Sequence, residues 1–123
     1  MVHDWDQSLD DLEKTVARAL GDISRQSVSF DGIAVPGDVS GVVVGSPLSI
    51  ALQKPLVIVR THPNRCACHR KHVIGDVQGK KFLYVDDQIS SGTTFRLVED
   101  GVRSNGGMIV ATYEYQFTDF RVR

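Results

Sequence analysis

Apolar residues along this chain fall either at helical spacing or in short unbroken runs, and the alternation between the two divides it into helices and strands. Over residues 6–20, Leu9, Leu12, Val16 and Leu20 form one apolar stripe. Ser8 and Asp11 resemble a capping box at its start, and Gly21 suits the position just past its last turn. Val28 to Val35 is a strand candidate, interrupted at Asp31-Gly32, that ends in a polar loop, Pro36-Gly-Asp-Val-Ser-Gly41. From about Gly41 to Gln53 the pattern is helical, with Val43, Leu48, Ala51 and Leu52 available to a core and with Pro47 either kinking the helix or lying in its first turns. Leu56-Val-Ile-Val59 is an unbroken apolar strand that delivers Arg60 to its carboxyl end. Phe82-Leu-Tyr-Val85 is another, and the lack of alternation marks a parallel strand covered on both faces. A helix follows from about Thr94 to Ser104, with Phe95, Val98 and Val102 on one face and Asn105-Gly106 ending it, and a strand runs from Met108 to about Tyr115. Such alternation predicts an α/β fold, a parallel sheet with helices on both sides. Ligands of these sheets bind beyond the carboxyl ends of the strands. Here those ends carry Pro36–Gly41, Arg60 and Asp86–Thr94.

The stretch from Arg60 to Gly79 shows no periodicity but many cations, and an unstructured loop of this length in a small domain is usually functional or disordered. It also carries His62, Cys66, Cys68, His69 and His72. Zinc is conceivable from those ligand types, but Cys-x-Cys-His lies outside the usual spacing and no second ligand pair exists. A solvated loop is the simpler reading.

At 123 residues and 41% hydrophobic content the chain should form one domain around one core. The net charge of -1, with both signs interspersed, offers no footprint for nucleic acid or an anionic membrane. No apolar run reaches the length of a membrane span, and the start Met1-Val-His-Asp-Trp is too polar for a signal peptide. Two cysteines one residue apart make no disulfide framework, so a cytoplasmic setting is expected. There is no internal repeat.

The chemistry concentrates after Val85. Ser90, Ser91, Gly92, Thr93 and Thr94 combine hydroxyls and unhindered N–H groups with the positive end of a following helix, which makes an anion site. Asp86 and Asp87, just before it, cannot face the same phosphate comfortably and better suit sugar hydroxyls or a hydrated Mg²⁺. The ligand implied carries both phosphate and polyol. The plain alternatives are a capped helix with no ligand, an ordinary turn at Pro36–Gly41, and a surface cation at Arg60.

Phe82-Leu-Tyr-Val-Asp-Asp-Gln-Ile-Ser-Ser-Gly-Thr-Thr94 resembles the phosphoribosyl-pyrophosphate (PRPP) signature of the type I phosphoribosyltransferases. Gly32-Ile-Ala-Val-Pro-Gly-Asp-Val-Ser-Gly-Val-Val-Val-Gly-Ser-Pro-Leu-Ser-Ile-Ala51 is similar to the first strand, pyrophosphate loop and helix of their adenine and orotate branch, and Leu56–Arg60 to the second strand with its pyrophosphate-binding arginine. The resemblance covers roughly residues 30 to 115. It implies a Rossmann-like parallel core spanning residues 1–123, with an N-terminal helical segment at 1–26, a flexible lid at 61–79 and a reduced hood. It also implies transfer of ribose 5-phosphate from PRPP to a nucleobase with release of pyrophosphate, dependent on Mg²⁺, in a cytoplasmic homodimer. On that basis Gln88, Ile89, Ser90, Ser91, Gly92, Thr93 and Thr94 would bind the 5-phosphate. Pro36, Gly37, Asp38, Val39, Ser40, Gly41 and Arg60 would bind the pyrophosphate, and Asp86 and Asp87 would engage the ribose hydroxyls and Mg²⁺, directly or through water. The chain departs from the pattern where the orotate enzymes carry a second basic residue and a catalytic lysine. Here Thr61 follows Arg60 and the later stretch reads Pro63-Asn-Arg-Cys-Ala67; Lys71 is taken as the candidate catalytic cation, and nothing in the sequence chooses between it and Arg65 or Arg70. That departure and the short C-terminus also keep open a non-catalytic protein that binds PRPP or a nucleotide and regulates.

Overall fold

The computed structural model describes residues 9–61, 73–89 and 92–123. Three helices, α1 (Leu9–Ser24), α2 (Val39–Leu52) and α3 (Thr93–Ser104), accompany strands β1 (Gly32–Pro36), β2 (Leu56–Val59), β3 (Val73–Ile74), β4 (Lys81–Asp86), β5 (Met108–Glu114) and β6 (Asp119–Val122). The strands form one sheet in the order β3-β2-β1-β4-β5-β6. The four inner strands are parallel, and β3 and β6 close the two edges in antiparallel pairing.

The unbroken apolar runs are explained by a sheet covered on both faces, since side chains alternate between faces along each strand. Ile33 and Val35 of β1 and Leu83 and Val85 of β4 pack with Ala19 and Ile23 of α1 and with Val44 and Leu48 of α2. Their neighbours Ala34, Phe82 and Tyr84 point the other way and pack with Phe95, Val98 and Val102 of α3. Each large side chain buried in this way contributes about 1.5–3 kcal/mol. Strands β1 and β4, each with five consecutive buried residues, are the most deeply buried strands.

Register decides what meets at the rim. Pro36 is paired with Val59, and Asp86 with Glu114. Ala34 is paired with Tyr84, and continuing that ladder by two residues brings Pro36 level with Asp86. The carboxyl ends of β1, β2, β4 and β5 thus lie side by side.

Several expectations are corrected. Helix α1 runs through Gly21 to Ser24, because burial of Ile23 extends the packed face by another turn; the capping residue Ser8 lies outside the described residues. Strand β1 begins only at Gly32, since Asp31 is spent on β4, its N–H donating to the Lys81 carbonyl at 2.6 Å and its carboxylate accepting from the Lys81 N–H at 2.9 Å. Helix α2 starts at Val39 and passes through Pro47 without ending. The lid cannot extend to residue 79: Val73-Ile74 pairs with Ile58-Val59, and Val77 is buried in the core. After β5 comes one short further strand, β6, which folds back on it in antiparallel pairing.

Candidate functional site

The end of β4 is built around a carboxylate held inside the protein. Asp86 is only 3% exposed. The Tyr84 hydroxyl donates to its Oδ2 at 2.5 Å, and the Asp87 N–H donates to its Oδ1 at 2.8 Å. Both residues share one face of the strand, as positions two apart must. Tyr84 is itself fixed, edge-on to Phe95 with ring centroids 5.1 Å apart. Burial is the largest influence on Asp86 and raises its pKa to about 7, against the lowering effect of the Tyr84 hydrogen bond. The same burial pushes the Tyr84 hydroxyl far above its ordinary value. Asp87, by contrast, is only partly buried.

The loop after β1 meets the end of β2. A side chain at Gly37 would begin 3.3 Å from the Val59 carbonyl oxygen and 3.4 Å from Arg60 Cα, so loop and arginine backbone are adjacent. Arg60 is exposed and follows the last residue of β2. Asp38 caps α2, accepting from the Gly41 N–H at 2.7 Å, and the Ser40 hydroxyl is turned toward the same oxygen at 3.4 Å. Glycine is required at 41, where a Cβ would come within 2.5 Å of the Pro36 carbonyl oxygen. Two of the N–H groups assigned to pyrophosphate are therefore engaged within the chain: Gly41 by Asp38, and Gly37 by the Val59 carbonyl at 2.8 Å.

The start of α3 is different. Its N-cap residue is Gly92, in the left-handed region at φ 76°, with no side-chain capping bond and no acidic residue in the first turn. With no acidic residue in its first turn, the positive end of this helix is a setting that favours an anion. The Arg96 guanidinium lies beside Gly92, with Nη1 3.4 Å from where a Cβ would stand. Not every N–H of the preceding loop is available: Ile89 donates to Glu114 Oε2 at 2.7 Å, and Gly92 donates to the Ile89 carbonyl at 2.9 Å. The Glu114 bond pins the loop to β5.

Three residues that shape this rim went unassigned in the sequence. Tyr84 was legible in principle from its position two before Asp86. Glu114 and Tyr115 were not, because only the pairing of β5 with β4 brings them here. The Tyr115 N–H donates to the Asp86 carbonyl at 3.0 Å. Its ring is buried, and its hydroxyl has no hydrogen-bond partner among the described residues.

The structure brings Pro36–Gly41, Arg60, Asp86–Ile89 and Gly92–Thr94 to one rim. Lys71, Ser90, Ser91 and the cysteine and histidine cluster at 62–72 lie outside the described residues. Among the described residues no group of three or more His, Cys, Asp or Glu stands ready to hold a metal ion. No helix among them is long and apolar enough to cross a membrane.

No family model matches the chain. Among curated proteins it is 28% identical over 123 residues to HGPRTase-like protein 3 of Haloterrigena turkmenica, covering 89% of this chain and 66% of that protein. It is 27% identical over 96 residues to an orotate phosphoribosyltransferase of Methanocaldococcus jannaschii, covering 76% and 54%. It is 28% identical over 97 residues to the transcriptional regulator GfcR of Thermoplasma acidophilum, covering 76% and 49%. The chain spans about half to two thirds of the length of these relatives. Among solved structures it resembles the orotate phosphoribosyltransferase of Francisella tularensis, with a TM-score of 0.72, 18% identity, and coverage of 87% of this chain and 52% of that one. The adenine phosphoribosyltransferase of Thermoanaerobacter pseudethanolicus gives a TM-score of 0.62, 23% identity, and coverage of 85% and 67%. At those identities the structural likeness shows the fold.

Proposed function

We propose, from the shared fold and the phosphoribosyltransferases among its sequence relatives, that this chain is a type I phosphoribosyltransferase that binds PRPP and transfers ribose 5-phosphate to a ring nitrogen of an orotate- or purine-like nucleobase, releasing pyrophosphate. The observation that carries this reading is the glycine-led N-terminus of α3, with no acid in its first turn and Arg96 beside it, one short loop away from the partly buried carboxylate of Asp87. An anion site next to an acceptor of hydroxyl hydrogen bonds fits a sugar phosphate better than a free phosphate.

The 5-phosphate would sit over Gly92, Thr93 and Thr94 with Ser90 and Ser91, while Asp87 accepts hydrogen bonds from the ribose hydroxyls. Asp86 acts from behind, holding the Asp87 backbone through its N–H. As the bond from ribose C1 to the pyrophosphate oxygen breaks and the bond to the base nitrogen forms, negative charge grows on the leaving group, and the base nitrogen loses its proton to solvent. Arg60 and the loop 36–41 would stabilise that charge, with Lys71 as the candidate cation brought by the segment beyond Thr61.

Mg²⁺ favours one or two carboxylates together with phosphate oxygens and water. Asp87 fits that role. Asp86, buried with both oxygens already engaged, does not fit as a direct ligand. When bound, the ion would supply charge neutralisation on the pyrophosphate. The protein would act in the cytoplasm as a homodimer, and sedimentation at micromolar concentration tests that assembly.

A second reading, a regulator that binds PRPP or a nucleotide without turnover, is favoured by the kinship with a transcriptional regulator. One experiment separates the two. A panel of nucleobases incubated with PRPP and Mg²⁺ is monitored for pyrophosphate, with PRPP binding measured by calorimetry. Pyrophosphate release with one base supports transfer; binding with silence across the panel supports regulation; absence of PRPP binding overturns both.

A further inference from the structure

The Tyr115 hydroxyl stands out as a buried donor that the fold leaves unused. Tyr115 is 7% exposed, and its hydroxyl has no hydrogen-bond partner among the described residues. Native proteins satisfy nearly all such groups, so an orphan at the mouth of a site calls for an explanation. Besides burial, groups of both loops of the rim act on it electrostatically: Asp87 and Asp86 after β4, and Ser40 and Asp38 after β1. Ser40 approaches it closely enough to lower its pKa as a neighbouring donor, but the two do not reach hydrogen-bonding geometry, and the Ser40 hydroxyl is turned to Asp38 at 3.4 Å. Burial, and then the neighbouring carboxylates, keep the phenol protonated. It is therefore a permanent donor at the junction of the two loops. The other tyrosine of β5 shows the contrast, since the Tyr113 hydroxyl donates to Asp22 of α1 at 2.6 Å.

We infer that the Tyr115 hydroxyl is a ligand-binding donor, which completes its hydrogen bond only when an oxygen of a bound sugar pyrophosphate enters between Ser40 and Asp87. Ser40, half-buried beside it, would have to turn aside to admit that oxygen. One hydroxyl then ties the pyrophosphate loop to the acidic loop through the ligand, which favours an occupant spanning both over one that fills only one. The inference rests on the proposed PRPP site and adds to it a specificity-determining residue.

The test uses Tyr115→Phe, which removes the hydroxyl and keeps the ring, titrated with PRPP and separately with inorganic pyrophosphate in the presence of Mg²⁺ by calorimetry, alongside melting of the ligand-free protein. The expected result is a loss of PRPP affinity of roughly fivefold, the scale of one net hydrogen bond, with the ligand-free Tm unchanged or raised because an unsatisfied polar atom has gone. Tyr113→Phe should do the opposite, lowering Tm while leaving affinity alone. If wild type binds PRPP and Tyr115→Phe binds it equally well, the inference is overturned and the proposed function stands. An affinity loss that merely tracks a fall in ligand-free Tm also overturns it, because the hydroxyl would then be bonded in the free protein. Wild type that binds neither probe removes the inference and the proposed site together.

Discussion

Tyr84 and Asp86, two positions apart on one face of β4, are joined by a 2.5 Å hydrogen bond in the interior of the sheet. The bond divides the work of the acid pair. It holds Asp86 in the interior, where its other oxygen accepts from the Asp87 N–H, and leaves Asp87 as the less buried carboxylate of the pair. Burying a carboxylate costs several kcal/mol when it is charged. The packed length of β4 supplies the stability that tolerates this.

Tyr84→Phe should lower stability by about 1–2 kcal/mol, since it removes one hydrogen bond to a buried carboxyl while leaving the ring against Phe95. Urea unfolding measures the change. A variant as stable as wild type would mean that the bond contributes nothing net.

The raised pKa of Asp86 gives stability a defined pH dependence. Its value is about 7 in the folded protein against an ordinary 3.8, so the folded state binds the proton more tightly. The contribution is fully present below about pH 3.8 and is lost as pH climbs to about 7. Metal-free protein should therefore show a Tm component that declines across that window, and Asp86→Asn should abolish it. Because the Tyr84 bond lowers this pKa, Tyr84→Phe should move the decline to higher pH. A flat wild-type profile would contradict the assignment.

Asp87→Asn should reduce PRPP turnover more than tenfold with the fold intact, because the side chain lies at the rim and not in the core. Pyrophosphate release and circular dichroism check the two halves of the statement. Full activity would remove Asp87 from the site.

Gly92→Val should abolish PRPP binding. At φ 76° a β-branched residue is strained by roughly 1–2 kcal/mol, and its methyl groups would crowd Arg96 and the approach to the helix N-terminus. Calorimetry reports the affinity; unchanged binding would place the phosphate elsewhere.

Asp38→Ala should cost about 1 kcal/mol through loss of the α2 cap, whereas Asp38→Asn, which still accepts from Gly41, should cost much less. Equal losses in the two variants would show that charge, not capping, matters at this position.

Local pattern alone determined the order of inner strands and helices and the stretch that carries the chemistry. Unbroken runs such as Phe82–Val85 signal burial on both faces, and the change from apolar residues to Asp86-Asp87 marks where β4 reaches the rim. The edge strands escaped that reading: β3 is two residues long, and β6 exists only because the chain turns back on β5. Neither has a period to detect. The tertiary structure alone decided that Asp86 is buried while Asp87 is only partly so, which N–H groups are engaged within the chain, and that Glu114 and Tyr115 stand at the rim. Those outcomes depend on sheet register and burial, which set Asp86 opposite Glu114 and leave the Tyr115 hydroxyl without a partner among the described residues. Local sequence encodes which residues can form a strand; only packing between distant strands determines which of their polar atoms are already spoken for.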